Sequence, residues 1–507
     1  MKISNLTLSL GESEGVLKTK AYKKAGTNEK NSPFFRITKK SVDARDKSAI
    51  KWVYSVEISD TPFNDELPCL RAKRKGRVLV VGAGPAGLFC ALTLARGGMD
   101  VTLIERGKPV DERKKDVDLF ASERKLNDDS NVQYGEGGAG AFSDGKLNTQ
   151  VNSPLITRVL RDFVRFGAPE EIAYLSKPHI GSDKLPGVVK NIREEIKRLG
   201  GRVFFSEKLT DVTVSGGFAK AKTSFGEDNF DELVLALGHS SRDTFYMLNS
   251  RGVQMEQKAF AMGYRIEHTQ SLINYSQYGK SANLLPPADY KLVSHAGERS
   301  VFTFCMCPGG VVMPAASEEN TVVTNGMSNY LRDGLNANSA IISEIKTDDF
   351  PSASPLAGVE FQREIERKTF IAGGGNYSAP AAKVGDFLRK TGFSSLGNEV
   401  KPTYPLGVIP YPLHKLLPEG AADSIAKAIV DMDKRLKGFA SENAVMTGTE
   451  TRTSSPVRIT RNDKFASVSA ENLYPCGEGA GYAGGISSAA ADGIKVAEAI
   501  LRKYGAE

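Results

Sequence analysis

The chain has 507 residues, 40% hydrophobic and 25% charged, with a net charge of +7. That length exceeds one ordinary core, so two or three domains are expected, and no apolar run approaches the ~20 residues of a membrane span. Five scattered cysteines do not form a disulfide framework and favour a reducing, cytoplasmic setting. Without a CxxC, HExxH or Cys/His cluster, no metal site is expected.

The N-terminus alternates apolar and polar residues and soon meets Glu12 and Glu14. It reads as a first strand over residues 2–10 rather than a signal peptide. A helix ending at Gly26 should follow, then strands over "FFRITKKSVD" and "IKWVYSVEIS", and a Pro-containing basic linker up to Gly76. Residues 1–76 carry 16 Lys/Arg against 9 Asp/Glu, while the remainder holds 51 of each sign. The positive charge therefore belongs to this module alone. It reads as a solvated face rather than an RNA-binding surface, because no aromatic-interleaved RNA motif accompanies it.

The strongest signal is "RVLVVGAGPAGLFCALTLARGGMDVTLIERG". Arg77–Val81 is a short apolar run, as expected of a buried parallel strand. Gly82, Gly84 and Gly87 form G-x-G-x-x-G, Pro85 and Ala86 open a helix that stops at Gly97-Gly98, and a second strand ends at Glu105-Arg106. Gly82 permits the tight turn, Gly84 lets a pyrophosphate approach the backbone, and Gly87 lets helix and strand pack closely. The helix N-terminus offers unpaired N–H groups to the phosphates, and Glu105 stands where a carboxylate can take ribose hydroxyls. Strand, glycines, helix, strand and acid in this order predict a dinucleotide site.

The loop Tyr134–Thr149, "YGEGGAGAFSDGKLNT", is glycine-rich and small, as suits backbone packed on a flat ligand. Gly138, Ser143, Asp144, Gly145 and Lys146 are its candidate contacts. Successive strands follow from Gly200, with Leu209 a candidate neighbour of an adenine. "ELVLALGHSSRDTF" supplies Gly238 and His239, and "GYRIEH" supplies His268; both histidines are candidates for proton transfer. Residues 261–447 should form an inserted substrate domain, strand-rich over Leu292–Val323 and helical near Ala337–Ile345, Gly358–Glu366 and Glu419–Leu436. Within it "FTFCMCPGG" carries Cys305 and Cys307. On a regular strand the two point to one face, and they read as pocket wall with a minority redox role. "GTETRTSSPVRITR" then places Arg452 among hydroxyls, a candidate anion contact.

The chain closes with "NLYPCGEGAGYAGGISSAAADGIKVAEAILRKYG", again strand, glycine-rich turn and helix. This ending resembles flavoproteins of the glutathione-reductase-like superfamily, whose Gly-Asp before the last helix holds the ribityl chain of FAD. Gly477-Glu478 takes that place, with Glu one carbon longer, and Gly485, Ile486 and Ser487 would aim the last helix at the flavin. "ALG" at 236–238 resembles the superfamily's ATG turn, and no second dinucleotide fingerprint follows.

These stretches, with "NVQYGEGGAGAFSDGKLNT", "NGMSNYLRDGLNANSA" and "ETRTSSPVRITR", resemble the bacterial FAD-dependent dehydrogenase family over nearly the whole chain. The resemblance implies an α/β fold with a two-segment, glutathione-reductase-like FAD domain (77–260 and 448–507). It also implies an inserted α+β domain (261–447) and a small N-terminal α+β module (1–76). The expected activity is an FAD-dependent oxidoreductase moving a hydride through flavin N5 to or from a small molecule, with NAD(P)H as a transient donor. The alternatives are an RNA-acting flavoprotein docking through the basic module and a non-enzymatic electron relay.

Overall fold

The computed structural model describes residues 1–64, 69–215, 218–390, 395–397 and 399–506; part of the expected linker, residues 65–68, falls outside them. The N-terminal module is β1 (Lys2–Ser9), α1 (Glu14–Ala25), β2 (Phe34–Asp43) and β3 (Lys51–Ser59), with the antiparallel order β1-β3-β2. Alternation along β3 turns Tyr54, Val56 and Ile58 onto Leu17 and Ala21 of α1. Gly26 ends α1 in the left-handed conformation at φ 66°, a usual helix stop. The module docks through β2, where the Lys40 N–H donates to the Tyr174 carbonyl at 2.8 Å and the Ser176 N–H donates to the Lys40 carbonyl at 3.0 Å.

The second unit holds β4 (Arg77–Val81), α2 (Pro85–Arg96), β5 (Asp100–Glu105), α3 (Val110–Glu123), α4 (Pro154–Arg165), α5 (Leu185–Arg198) and β6 (Arg202–Phe205). There follow β7 (Leu209–Ser215), β8 (Phe218–Thr223), β9 (Glu227–Phe230), β10 (Glu232–Leu235), α6 (Arg242–Ser250) and β11 (Met255–Gln257). The chain returns here at its end. A parallel sheet of order β22-β10-β4-β5-β6 therefore includes β22 (Leu473–Pro475) from the far end of the sequence. The buried apolar runs of β4, β5 and β10 are what a sheet covered on both faces requires. One face packs on α2, α5 and α11 (Ile486–Lys503); the other is covered by the antiparallel sheet β7-β8-β9 and by α6.

Between β11 and β21 (Val457–Ile459) lies a seven-stranded sheet. Its elements are β12 (Phe260–Thr269), α7 (Gln270–Tyr278), β13 (Val293–Ser294), β14 (Val301–Cys307), β15 (Val311–Pro314), β16 (Thr324–Met327) and β17 (Asn336–Ile345). They continue with α8 (Ala357–Ala372), β18 (Ala379–Lys383), α9 (Val384–Arg389), β19 (Val408–Pro410), α10 (Glu419–Asp433) and β20 (Val445–Glu450). The order is β13-β14-β17-β12-β20-β18-β19, and β15 pairs with β16 beside it. Helix α10 packs its apolar stripe against this sheet.

The expected helix near Ala337–Ile345 is a strand. Asn336–Ile345 is β17, paired along its whole length with β12 and buried on both faces. A short apolar run carries no period that separates a buried strand from a buried helix, and here two neighbouring strands supply the backbone partners. Among the described residues no helix is long and apolar enough to cross a membrane.

Candidate active site

A cleft of about 310 Å³ opens between the parallel sheet and the seven-stranded sheet. Its floor is the turn between β4 and α2. Gly82 has φ 103°, and a Cβ there would lie 2.3 Å from the Ala236 carbonyl oxygen. A Cβ on Gly87 would lie 1.8 Å from the Gly82 carbonyl oxygen, so Gly87 holds α2 against the turn and does not itself line the cleft. At Gly84, the N-cap of α2, a Cβ would meet only the Gly138 Cα, at 3.9 Å. That free space above an N-terminal turn is a cradle suited to a phosphate. Pro85 and Ala86 line the same floor.

Glu105 lines the cleft, but its carboxylate is already engaged. It accepts from the N–H groups of Ala83 at 2.8 Å, Gly107 at 3.0 Å and Gly135 at 2.9 Å. It therefore ties three loops together. Arg106 stacks over the Tyr134 ring, 4.4 Å from its centroid, and pairs with Asp243 at 2.8 Å. Leu209 and Gly238 complete this end.

The glycine-rich loop is held by a residue that sequence reasoning missed. The guanidinium of Arg113 on α3 is fully buried and donates to the carbonyls of Asn131, Val132, Gly135, Glu136 and Gly138 at 2.7–3.2 Å. Its only sequence signal is an arginine on the inward face of an amphipathic helix. From this loop Gly138, Ser143 and Lys146 line the cleft, whereas Asp144 and Gly145 do not. Asp144 is buried beneath it and accepts from Arg332 at 2.5 and 3.0 Å, from the Ser328 hydroxyl at 2.6 Å, and pairs with Lys146 at 3.2 Å. It is the counter-ion of two cations rather than a cofactor contact. Burial lowers the Lys146 ammonium pKa, and the Asp144 charge outweighs it, so the pKa ends raised and the amine stays charged. Its Nζ has no hydrogen-bond partner.

The opposite end is built by α11. Gly485, its N-cap, and Ile486 line the cleft. The Ser487 hydroxyl instead donates to the Leu147 carbonyl at 2.8 Å, fastening the glycine-rich loop. Gly477 also sits outside the lining; its N–H donates to Asp492 at 2.8 Å, and Asp492 is clamped by Arg461 at 2.7 Å. Glu478 does line the cleft, and burial pushes its carboxyl up to about 7 against the opposing charge of Lys258.

The candidate catalytic residues divide. His239 lines the cleft, with Nδ1 2.9 Å from the Ser240 hydroxyl and Nε2 3.9 Å from Glu478. Burial and the charges of Arg452 and Arg242 push it down to about 3, so it is neutral near pH 7. His268 is not in the cleft. It is fully buried, stacked on Phe439 at 5.2 Å with Nε2 2.9 Å from the Phe439 carbonyl, and burial pushes it down to about 4. A lone histidine on the packed face of a strand is here a core residue.

Arg452 borders the cleft, but its fork is closed on Glu366 of α8 at 2.8 and 2.9 Å and on Ser317 at 2.5 Å. Arg242 grips the same carboxylate twice at 2.8 Å. Burial raises the Glu366 pKa, and the two guanidinium charges outweigh it, leaving it well below the usual carboxylate range. The stretch holding Arg452 joins the two sheets instead of presenting a free anion clamp.

Cys305 lines the cleft and Cys307 sits behind it. The expected regular strand is broken between them. β14 matches Phe304 to Ala340 and Cys307 to Asn338, so one extra residue bulges, and Cys305 takes φ 41°. A left-handed non-glycine residue costs of order 1–3 kcal/mol. Arg265 of β12, fully buried, meets the Cys305 carbonyl at 3.0 Å, the Cys307 Sγ at 3.7 Å and the Glu450 carboxyl at 3.1 Å.

Glu450, at the end of β20, stands in the same "GTETRTSSPVRITR" stretch from which the sequence reading favoured Arg452. It lines the cleft, and burial pushes it up to about 7 although Arg265 opposes the shift. A carboxyl poised near neutrality can hold or release a proton at working pH. Its spacing of two from Arg452 was the available signal. Among the described residues no group of three or more His, Cys, Asp or Glu is placed to hold a metal ion.

The cradle at Gly84, the glycine-rich loop and the N-termini of α2 and α11 surround one cleft, the arrangement of a dinucleotide-binding fold. Residues 259–453 match the family described as "FAD-dependent protein, C-terminal domain-like", residues 76–277 match "Pyridine nucleotide-disulphide oxidoreductase", and residues 1–59 match a domain of unknown function. The chain is 47% identical over 528 aligned positions to a protein of Clostridium beijerinckii described as uncharacterized, covering 99% of both chains. It therefore belongs to the same family as that clostridial protein, a family of FAD-dependent oxidoreductases. Similar solved structures include CtdE in complex with FAD (13% identity, 84% of each chain, TM-score 0.35) and glycine oxidase from Geobacillus kaustophilus (9%, 85% and 95%, 0.37). The flavin-dependent halogenase CmlS is another (14%, 85% and 58%, 0.39).

Proposed function

We propose that the protein transfers a hydride through flavin N5 to or from a small-molecule substrate that enters between the two sheets, with NAD(P)H as a transient donor. The observation that carries this reading is the composite cleft. One wall offers backbone and glycines, and the other offers a titratable carboxyl and a thiol from a separate sheet. Pockets of this kind favour domain interfaces. Bound FAD would supply reversible two-electron chemistry.

The chain's own contributions follow from position and charge. Lys146 and the N-terminal end of α11 place positive potential on one side of the cleft, which favours an anionic ligand there. Glu450 holds a proton at its carboxyl below about pH 7 and releases it above, at the substrate side of the cleft. His239, neutral and tied to Ser240, orients hydrogen bonds rather than carrying charge. A side-chain set of this kind on the inserted wall favours an enzyme over an electron relay.

The test is the visible spectrum of the purified protein, followed by anaerobic addition of NADH and NADPH. Bound flavin that bleaches with either nucleotide is expected. Protein without flavin overturns the reading, and bound flavin that neither nucleotide reduces removes the nicotinamide donor alone.

A further inference from the structure

We infer that Cys305 and Cys307 form a reversible dithiol–disulfide couple on the inserted-domain wall, which exchanges with a small disulfide entering the cleft. Four observations converge on the pair. First, the bulge in β14 and the left-handed Cys305 fold the C-x-C backbone out of its extended path. Two residues of regular strand span about 6.6–6.8 Å, the upper limit of Cα separations that a disulfide tolerates; the bulge between Phe304 and Cys307 breaks that extended spacing. Second, the Cys307 side chain folds back on Cys305, with its Sγ 3.3 Å from the Cys305 carbonyl oxygen.

Third, two fixed cations face them. The Arg265 guanidinium lies 3.7 Å from the Cys307 Sγ, and the charge of Lys146 acts on both sulfurs. The neighbouring Cys305 thiol, and after it the charges of Lys146 and Arg265, lower the Cys307 thiol pKa, while that of Cys305 is raised. Fourth, access is unequal. Cys305 lines the cleft and Cys307 is fully buried behind it, which sets out an exchanging sulfur and a resolving one. Cys90 and Cys476 are also buried thiols, but burial pushes both up and no cation pair faces them.

The exchange balances. Cys305 passes its proton to the Cys307 thiolate and attacks one sulfur of the small disulfide, releasing the first thiolate, which takes a proton from water. Cys307 then attacks the Cys305 sulfur of the mixed disulfide, closes the Cys305–Cys307 bond and gives its proton to the departing second thiol. Two electrons move from the pair to the small disulfide. Return to the dithiol by reduced flavin rests on the function proposed above; closure of the disulfide does not.

The test equilibrates the full chain in mixtures of 2-mercaptoethanol and bis(2-hydroxyethyl) disulfide, quenches with acid, alkylates and weighs the protein and its peptides. The peptide holding residues 305 and 307 should pass cooperatively from two alkyl groups to none, with the loss of two hydrogens in mass. Cys307→Ser should instead accumulate a stable mixed disulfide at Cys305. Two alkylatable thiols at every mixture, or a mixed disulfide at Cys305 in the unaltered chain that never resolves, overturns the proposal. Because the readout is mass, it is independent of bound flavin, and protein that lacks flavin yet closes the disulfide separates this inference from the function above.

Discussion

The two walls of the cleft are built on opposite principles. The wall from the parallel sheet is backbone: the Gly82–Gly87 turn, a glycine-rich loop and two helix N-termini, with Glu105 and Arg113 spent on holding main-chain groups in place. The wall from the seven-stranded sheet is side chain: Cys305, Glu450 and the Arg452–Glu366 network. Backbone groups bind a large cofactor without needing a particular charge state. Buried side chains are more costly to hold, and their protonation depends on neighbours far away in sequence. The comparison suggests a division of labour, with one wall for binding and the other for reactivity.

The largest effect should come from breaking the joint between the walls. Glu366→Gln leaves the buried Arg242 and Arg452 without their shared counter-charge, a change that costs about 3–5 kcal/mol in such sites. A fall of several degrees in the thermal midpoint is the measurement. In the unaltered chain the depressed Glu366 contributes stability that is complete above its unfolded value near 4.5. That contribution is lost as pH falls further, and the variant should lack this acid-side loss.

Next comes the binding wall alone. Gly84 has φ −74°, which any residue adopts, and open space beyond it. Gly84→Val should therefore keep the fold, seen by circular dichroism, while FAD affinity falls at least about 100-fold, the ~3 kcal/mol of a blocked contact. Unchanged affinity would move the pyrophosphate away from this turn.

The reactive wall is tested by Glu450→Gln. FAD should remain bound while the rate of flavin reduction or reoxidation by substrate falls by about 100-fold or more. The pH limb near 7 should vanish with it: if the carboxyl donates its proton, the unaltered rate declines as pH rises through about 7. Glu478→Gln, made in parallel, should retain that limb. The smallest effect on turnover is expected for His268→Gln. Its ring lies in the core behind β12, so activity per folded molecule should be unchanged while stability drops by about 1–3 kcal/mol from the lost packing and hydrogen bond.

The binding wall was largely legible in the sequence because its signals are local. Gly82, Gly84 and Gly87 with the apolar strand before them state a turn, and the turn states what can sit on it. The reactive wall was legible only in part. Cys305 and Arg452 were noticed for their residue types, yet neither the β14 bulge nor the closure of Arg452 on Glu366 follows from spacing. Glu450 ranked below Arg452 because a glutamate among threonines and arginines is unremarkable until burial raises its pKa. Ala337–Ile345 was read as a helix because nothing in so short a run announces the neighbours on either side.

By itself, then, the sequence determined the dinucleotide turn and the basic N-terminal module, while the return of the chain at Leu473–Pro475 to the first sheet came from the family resemblance. The turn depends on short-range backbone sterics and the module's charge on composition, and both survive in a string of letters. Only the tertiary structure decided which charged groups face the cleft and in what state. Desolvation and Coulomb interaction act through space, and they set Asp144 on Arg332, Arg452 on Glu366 and Arg265 between Glu450 and Cys307 across 42 to 188 positions of chain.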